Sequence, residues 1–118
     1  MELCFAAAPQ VLLPIDGSDL RFPVRRVYCV GRNYAEHARE MGHDPEREPP
    51  FFFQKNPDNL DISGQFPYPS ATQDLHHEVE LAVLLGGGGA EIDPRDAQAL
   101  VFGYAVALDM TRRDLQAA

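Results

Sequence analysis

Apolar and polar residues alternate along segment 75–85, which is the clearest hydrophobic pattern in the chain. Because a β-strand places successive side chains on opposite faces, this alternation predicts a strand with one apolar face and one acidic face. The apolar face consists of Val79, Leu81 and Val83. The acidic face consists of Glu78, Glu80 and Ala82.

Segment 102–109 alternates in the same way and predicts a second strand. Its larger apolar residues, which are expected to face a core, are Tyr104, Val106 and Leu108. Its other face carries Asp109 together with Ala105 and Ala107. If the two strands are neighbours, Asp109 joins the two glutamates across a floor of small residues that leaves space for a ligand.

The three carboxylates admit two interpretations. Like charges this close cost energy unless a cation lies between them or one carboxyl is protonated. Hard divalent cations such as Mg²⁺ and Mn²⁺ prefer oxygen ligands, so a metal site is one reading. In the other reading the glutamates face water, and Asp109 or Thr111 caps a helix over 112–118. The residues alone leave both readings open.

Shorter patterns predict the elements of the first half of the chain. Residues 2–24 contain short apolar pieces separated by proline and Asp-Gly turn signals, which favour one or two edge strands. A β-branched and aromatic strand is predicted over 26–30, ending at Gly31. It is followed by a helix over 33–41.

Two further patterns complete the prediction of the fold. The three phenylalanines at 51–53 predict a buried strand. Asp93 followed by Pro94 is typical of an N-cap and the first residue of a helix, which is expected to run to about Leu100. Together these elements predict a β-rich, mixed α/β fold with short helices.

Four polar residues outside the acidic trio are candidates for catalysis or binding. His37 and Glu40 are three positions apart on the predicted helix, so the carboxylate could orient the imidazole as a general base. The same spacing also suits an exposed polar face. Arg32 could clamp a carboxylate substrate or form a structural ion pair. Lys55 could face a pocket or lie at a solvated strand end.

Length and charge limit the possible classes of function. The 118 residues fit one domain, and the net charge of −8 argues against nucleic acid or an anionic membrane surface as a partner. No apolar run approaches the roughly 20 residues of a membrane span, and the N-terminus lacks the features of a signal peptide. Cys4 and Cys29 lack metal-ligand spacing, so they are expected to be reduced core residues of a cytoplasmic protein.

Three segments resemble motifs of the fumarylacetoacetate hydrolase family, in the family's order and spacing. Residues 27–41 (VYCVGRNYAEHAREM) are similar to its opening motif. Residues 75–84 and 104–116 are similar to its two metal-site motifs. The resemblance covers 22–118 and implies the mixed β-roll of that family.

The resemblance also implies roles for individual residues. The implied ligands of Mg²⁺ or Mn²⁺ are Glu78, Glu80 and Asp109. The implied water-activating pair is His37 and Glu40. The implied substrate-binding residues are Gln116 and, in matching segments, Arg32 and Lys55.

The phenylalanine stretch and its acidic loop most resemble family members that hydrolyse fumarylpyruvate or related acylpyruvates. This implies a small-molecule 2,4-diketo acid substrate and hydrolysis of a carbon–carbon bond. Stabilising an enolate would equally serve an oxaloacetate decarboxylase or a dienoic-acid isomerase, which are reactions of other relatives. The resemblance further implies a homodimer.

Family members continue for about as much chain again beyond the third metal ligand. The turn signals predict an N-terminal segment of edge strands and turns over 1–24, and the resemblance implies that 25–118 is the N-terminal half of a catalytic domain, here truncated. A hypothesis of a different class follows from the same observation. The chain could be a catalytically silent fragment or interaction module that has kept the motifs of an enzyme.

Overall fold

A computed structural model describes residues 1–31 and 49–118 of the chain. Strands in these ranges pair as three antiparallel two-stranded sheets, joined or followed by short helices. The chain divides into two compact units, 1–66 and 67–118. This strand-rich architecture with short helices confirms the predicted fold class.

The first sheet of unit 1–66 is a small hairpin. Strand β1 (Val11–Pro14) pairs with β2 (Arg21–Val24), as predicted for the edge strands of 2–24. The connecting turn places Gly17 at a φ of 71°, a left-handed conformation that glycine adopts without the steric cost of a side chain. Val24 is 7% exposed, and it is the one apolar residue that is buried among the described residues.

The second sheet of this unit joins β3 (Val27–Gly31) to β4 (Phe51–Lys55). Gly31 lies opposite Phe51, and a Cβ at position 31 would come within 2.2 Å of the phenylalanine ring. A side chain at position 31 would therefore displace the ring of Phe51, which is 48% exposed. The helix predicted over 33–41 lies outside the described residues.

Unit 67–118 is built on a long hairpin of β5 (Leu75–Leu85) and β6 (Val101–Arg112). Helix α1 (Pro94–Ala97) lies in the connection, and a 3₁₀ turn follows it at Gln98–Leu100. The Asp93 carboxylate accepts a hydrogen bond of 2.9 Å from the Arg95 N–H, which confirms the predicted N-cap.

The second helix of this unit, α2 (Arg113–Gln116), is tied to the chain that precedes β5. Its first N–H, on Arg113, donates to the Asp74 carbonyl at 2.8 Å. The Asp114 carboxylate accepts from the Thr72 hydroxyl at 2.6 Å and from the Gln73 N–H at 3.1 Å. These bonds fix the start of α2 beside the beginning of β5.

The structure corrects the predicted start of this helix. The N-cap residue is Arg112, whose side chain makes no capping hydrogen bond, and β6 continues as far as that residue. Capping by Asp109 or Thr111 is therefore wrong, because both residues are still in the strand.

The predicted core is also wrong in several places. The phenylalanines of β4 are 40–68% exposed, and Cys4 is exposed as well. The apolar face of the long hairpin is 48–79% exposed along its length. Its members are Val79, Leu81, Val83, Tyr104, Val106 and Leu108. Alternation separates the two faces of a strand correctly, but a two-stranded sheet has no second apolar layer with which to bury one of them.

Neither Cys4 nor Cys29 forms a disulfide bond in the described parts of the chain. In the described parts of the chain, no helix has the length and apolar character needed to cross a membrane.

The bonds that hold α2 give a first prediction. The pKa of Asp114 lies below its ordinary value of 3.8 because its carboxylate accepts hydrogen bonds. The bond from the Thr72 hydroxyl has the largest effect, and the bond from the Gln73 N–H has the next largest. Thr72→Val removes the hydroxyl, so we expect the pKa of Asp114 to rise toward that value in an NMR titration of its carboxyl carbon. Because the folded pKa is the lower one, Asp114 stabilises the fold above the unfolded pKa, and this contribution is lost as pH falls through the folded pKa.

A matched control is available in the other unit. There the Ser63 hydroxyl lowers the pKa of Asp61 in the same way. Ser63→Ala should raise the pKa of Asp61 and leave that of Asp114 unchanged. An Asp114 pKa that does not move in Thr72→Val would show that the hydroxyl bond does not hold α2.

Candidate metal centre

Three carboxylates converge on one face of the long hairpin. Glu78 and Glu80 share a face because they are two positions apart on β5. The antiparallel register places Asp109 of β6 directly opposite Glu78. One carboxylate oxygen from each residue lies within 4.8 Å of the others, and all three residues are half-buried. The structure thus brings together the predicted metal ligands.

The floor beside these carboxylates is made of small side chains, as the sequence predicts. Glu80 is paired with Ala107, and Ala82 is paired with Ala105. Methyl groups at these positions cover little of the sheet surface next to the acids. Space for a ligand is therefore left on the acidic face of the hairpin.

A cation from the chain itself already lies against this cluster. The Nη2 atom of Arg113 is 2.7 Å from Oε1 of Glu78, and the two side chains are only 23% and 24% exposed. An ion pair that is partly withdrawn from water interacts more strongly than one on the surface. Arg113 therefore offsets part of the repulsion among the three carboxylates.

Sequence reasoning missed Arg113. The residue follows β6 and lies three positions before the predicted substrate residue Gln116. This spacing in a helix was the one feature of the sequence that could have indicated a contact between the two side chains. Its partner Glu78 is 35 positions away, so the contact becomes visible only when the register of the hairpin is known.

Arg113 also contacts two other residues near the cluster. Its Nη1 donates to the side-chain oxygen of Gln116 at 2.5 Å. Its Nε makes a long contact of 3.4 Å with Nδ1 of His76, whose Nε2 lies 2.8 Å from the Asp74 carboxylate. The guanidinium thus links a predicted metal ligand to a predicted substrate residue.

Four further residues are candidates from the sequence. Arg32, His37 and Glu40 lie outside the described residues. Lys55 is exposed at the end of β4 in unit 1–66, where it is paired with Val27. The roles predicted for these four residues stay predictions.

The donor set suits a hard divalent cation. All three ligand atoms are carboxylate oxygens, which suit Mg²⁺, Mn²⁺ or Ca²⁺ better than metals that favour nitrogen or sulfur. Two oxygens bound to one Mg²⁺ at about 2.1 Å are at most about 4.2 Å apart. Oxygens in cis positions on an octahedral Mg²⁺ are about 3.0 Å apart. Oxygens at the observed limit of 4.8 Å would therefore have to approach one another by about 0.6 Å or more to bind one Mg²⁺.

Comparisons with known proteins identify relatives of this chain. The family model for the fumarylacetoacetate (FAA) hydrolase C-terminal domain matches residues 26–118. A fumarylpyruvate hydrolase from Pseudomonas aeruginosa, whose crystal structure is a complex with Mn²⁺ and pyruvate, superimposes with a TM-score of 0.89. It is 55% identical in sequence, and the match covers 98% of this chain and 52% of that one.

Comparison of sequences also finds relatives that are named for reactions of oxaloacetate. The mitochondrial oxaloacetate decarboxylase of Dictyostelium discoideum is 46% identical over 94 residues, which are 78% of this chain and 43% of that protein. The oxaloacetate tautomerase YcgM of Escherichia coli is 41% identical over 100 residues, which are 85% and 46% of the two chains.

This chain therefore spans about half the length of the relatives that it matches. The matched range 26–118 contains all three clustered carboxylates and most of the chain. On this evidence the chain belongs to the fumarylacetoacetate hydrolase family.

Proposed function

We propose that this protein is a divalent-metal-dependent hydrolase that cleaves a carbon–carbon bond in acylpyruvate-type 2,4-diketo acids such as fumarylpyruvate. The observation that carries the proposal is the convergence of Glu78, Glu80 and Asp109 within 4.8 Å. The Pseudomonas aeruginosa hydrolase, a complex with Mn²⁺ and pyruvate at 55% identity, supports both the metal and the substrate class.

In this proposal the three carboxylates hold Mg²⁺ or Mn²⁺. When bound, the cation supplies Lewis-acid stabilisation of negative charge on substrate oxygens. We assign Gln116 to substrate binding, and the hydrogen bonds that join its side chain to Glu78 through Arg113 support this role. We assign Arg32 and Lys55 to the substrate carboxylates, since both cations suit an anionic diketo acid.

The remaining roles concern the movement of a proton. His37, oriented by Glu40, removes a proton from a water molecule whose oxygen attacks the distal carbonyl carbon. The new carbon–oxygen bond replaces the carbon–carbon bond, whose electron pair leaves on the pyruvate portion as an enolate. A proton then converts the enolate to pyruvate, and the acyl group is released as a carboxylic acid.

A second candidate function uses the same enolate chemistry. Relatives at 46% and 41% identity are named an oxaloacetate decarboxylase and an oxaloacetate tautomerase. Either reaction passes through an enol or enolate of a 2-keto acid, so the same three carboxylates would serve it. We place acylpyruvate hydrolysis first because the hydrolase match is the more similar in sequence and covers 98% of this chain.

We also propose that the protein acts as a homodimer in a reducing compartment. The exposed apolar face of the long hairpin is a surface that association would cover. Two cysteines that form no disulfide bond among the described residues suit a reducing compartment such as the cytoplasm. Mitochondrial relatives show that the family also occurs in that organelle.

The metal site gives the next prediction. Glu80→Gln keeps the shape of the side chain but removes one of three ligand charges. We expect Mn²⁺ to bind at least about 100-fold more weakly, a larger loss than is usual for residues outside the ligand set. Titration followed by the electron paramagnetic resonance signal of free Mn²⁺ measures this affinity directly.

Glu91→Gln is the matched control, because Glu91 is an exposed glutamate in the connection between β5 and β6. The control should bind Mn²⁺ like the unchanged protein. Equal affinities for the unchanged protein and Glu80→Gln would refute the metal site.

The assignment of the general base is tested by His37→Ala. Loss of a positioned base should lower kcat/KM for fumarylpyruvate by about 100- to 10,000-fold and leave the affinity for Mn²⁺ unchanged. His77→Ala is a control, because His77 is exposed on β5. A variant of His37 that keeps full activity would remove that residue from the mechanism.

Substrate class is tested by comparing two substrates under identical conditions. We expect kcat/KM for fumarylpyruvate to exceed that for oxaloacetate by at least about tenfold, because oxaloacetate lacks the longer acyl portion and the transition-state contacts that this portion would make. The reverse order would favour the second candidate function. No turnover of either substrate at saturating Mn²⁺ would favour the catalytically silent module.

A further inference from the structure

We propose that Arg113 is a positioning residue that sets the metal affinity of the site by orienting Glu78, and that it couples this ligand to Gln116. The inference rests on the proposed metal-dependent function and deepens it. It assigns a role to a residue that lies outside the acidic trio.

The first argument is the geometry of the guanidinium group. Its Nη2 donates to Oε1 of Glu78 at 2.7 Å, and its Nη1 donates to Oε1 of Gln116 at 2.5 Å. A guanidinium is planar and rigid, so its donors keep fixed relative directions. The positions of Glu78 and Gln116 are therefore set relative to each other by one group.

The second argument is burial. The side chains of Arg113 and Glu78 are 23% and 24% exposed, whereas those of the Arg95–Asp93 pair are 88% and 42% exposed. An exposed pair contributes little, because water and salt screen it. The Arg113–Glu78 pair lies in a setting where a carboxylate without its cation would be costly.

The third argument is that the backbone of Arg113 is itself fixed. Its N–H donates to the Asp74 carbonyl at 2.8 Å, immediately before the strand that carries Glu78. The next residue, Asp114, bonds to Thr72 and to the Gln73 N–H. Arg113 is thus anchored to residues 72–74, which lead directly into the strand that carries Glu78.

The fourth argument concerns charge. A positive group near the cluster would repel an incoming cation, but it also keeps the ligand carboxylates close enough to bind one. Because Arg113 bonds to Oε1, the second oxygen of Glu78 stays available as a ligand. We expect orientation to outweigh repulsion, since residues that orient metal ligands typically affect affinity by about 10- to 100-fold.

The test is the affinity for Mn²⁺ of the full 118-residue chain, followed by electron paramagnetic resonance. Arg113→Met keeps an apolar side chain in place of the aliphatic part of arginine and removes the guanidinium group. We therefore expect Mn²⁺ to bind about 10- to 100-fold more weakly. Arg113→Lys keeps the charge but cannot hold both acceptors, and it should also bind more weakly. The control Arg95→Met removes the same charge from the exposed pair and should bind unchanged.

A double-mutant cycle shows whether Arg113 acts through Glu78. In a Glu78→Gln background, Arg113→Met should change the affinity by less than about twofold. An independent effect of full size in that background would overturn the proposal. The coupling to Gln116 is measured by NMR in the metal-free protein. We expect the side-chain amide resonances of Gln116 to shift in Arg113→Lys.

The outcomes separate this inference from the proposed function. If the unchanged protein does not bind Mn²⁺, the proposed function fails at the metal. If it binds Mn²⁺ and both Arg113 variants bind equally well or more tightly, the function stands and the inference is wrong. Should Arg113→Met fail to fold, the lysine variant decides by the same criterion.

Discussion

The site depends on one constraint, which is the register of β5 against β6. Glu78 lies opposite Asp109, and Glu80 follows on the same face, so one pairing determines the distances among all three carboxylates. A slip of one residue would turn Asp109 to the opposite face of the sheet. The irregularity in this ladder falls between Leu84 and Leu85, beyond the acids, so the pairing around them is unbroken.

The same register brings like charges together, and a nearby arginine offsets part of their repulsion. Three half-buried carboxylates within 4.8 Å repel one another. Arg113 reaches one of them from α2, and the hydrogen bonds of Asp114 hold that helix against the start of β5. The same short helix also carries Gln116. This single turn of helix thus supplies both the cation that pairs with a candidate metal ligand and a candidate substrate contact.

Much of this site could be predicted because it depends on short-range rules. The two-residue period of strands placed Glu78 and Glu80 on one face, and the Asp93-Pro94 pair marked the start of α1 correctly. Burial could not be predicted in this way, because alternation separates two faces without showing what packs on either. Arg113 was missed for a related reason, since its contact with Glu78 joins residues 35 positions apart.

The two faces of the long hairpin suggest that metal binding and turnover are separable properties of this protein. The three carboxylates of the acidic face belong to unit 67–118, and all three are half-buried. The apolar face remains 48–79% exposed, and the chain spans about half the length of its relatives. The general base assigned to His37 and the cation assigned to Lys55 come from other parts of the sequence. In the proposed function, the groups that would hold the cation therefore belong to the hairpin and its terminal helix, whereas the proposed base and the proposed substrate-binding lysine belong to other segments of the sequence.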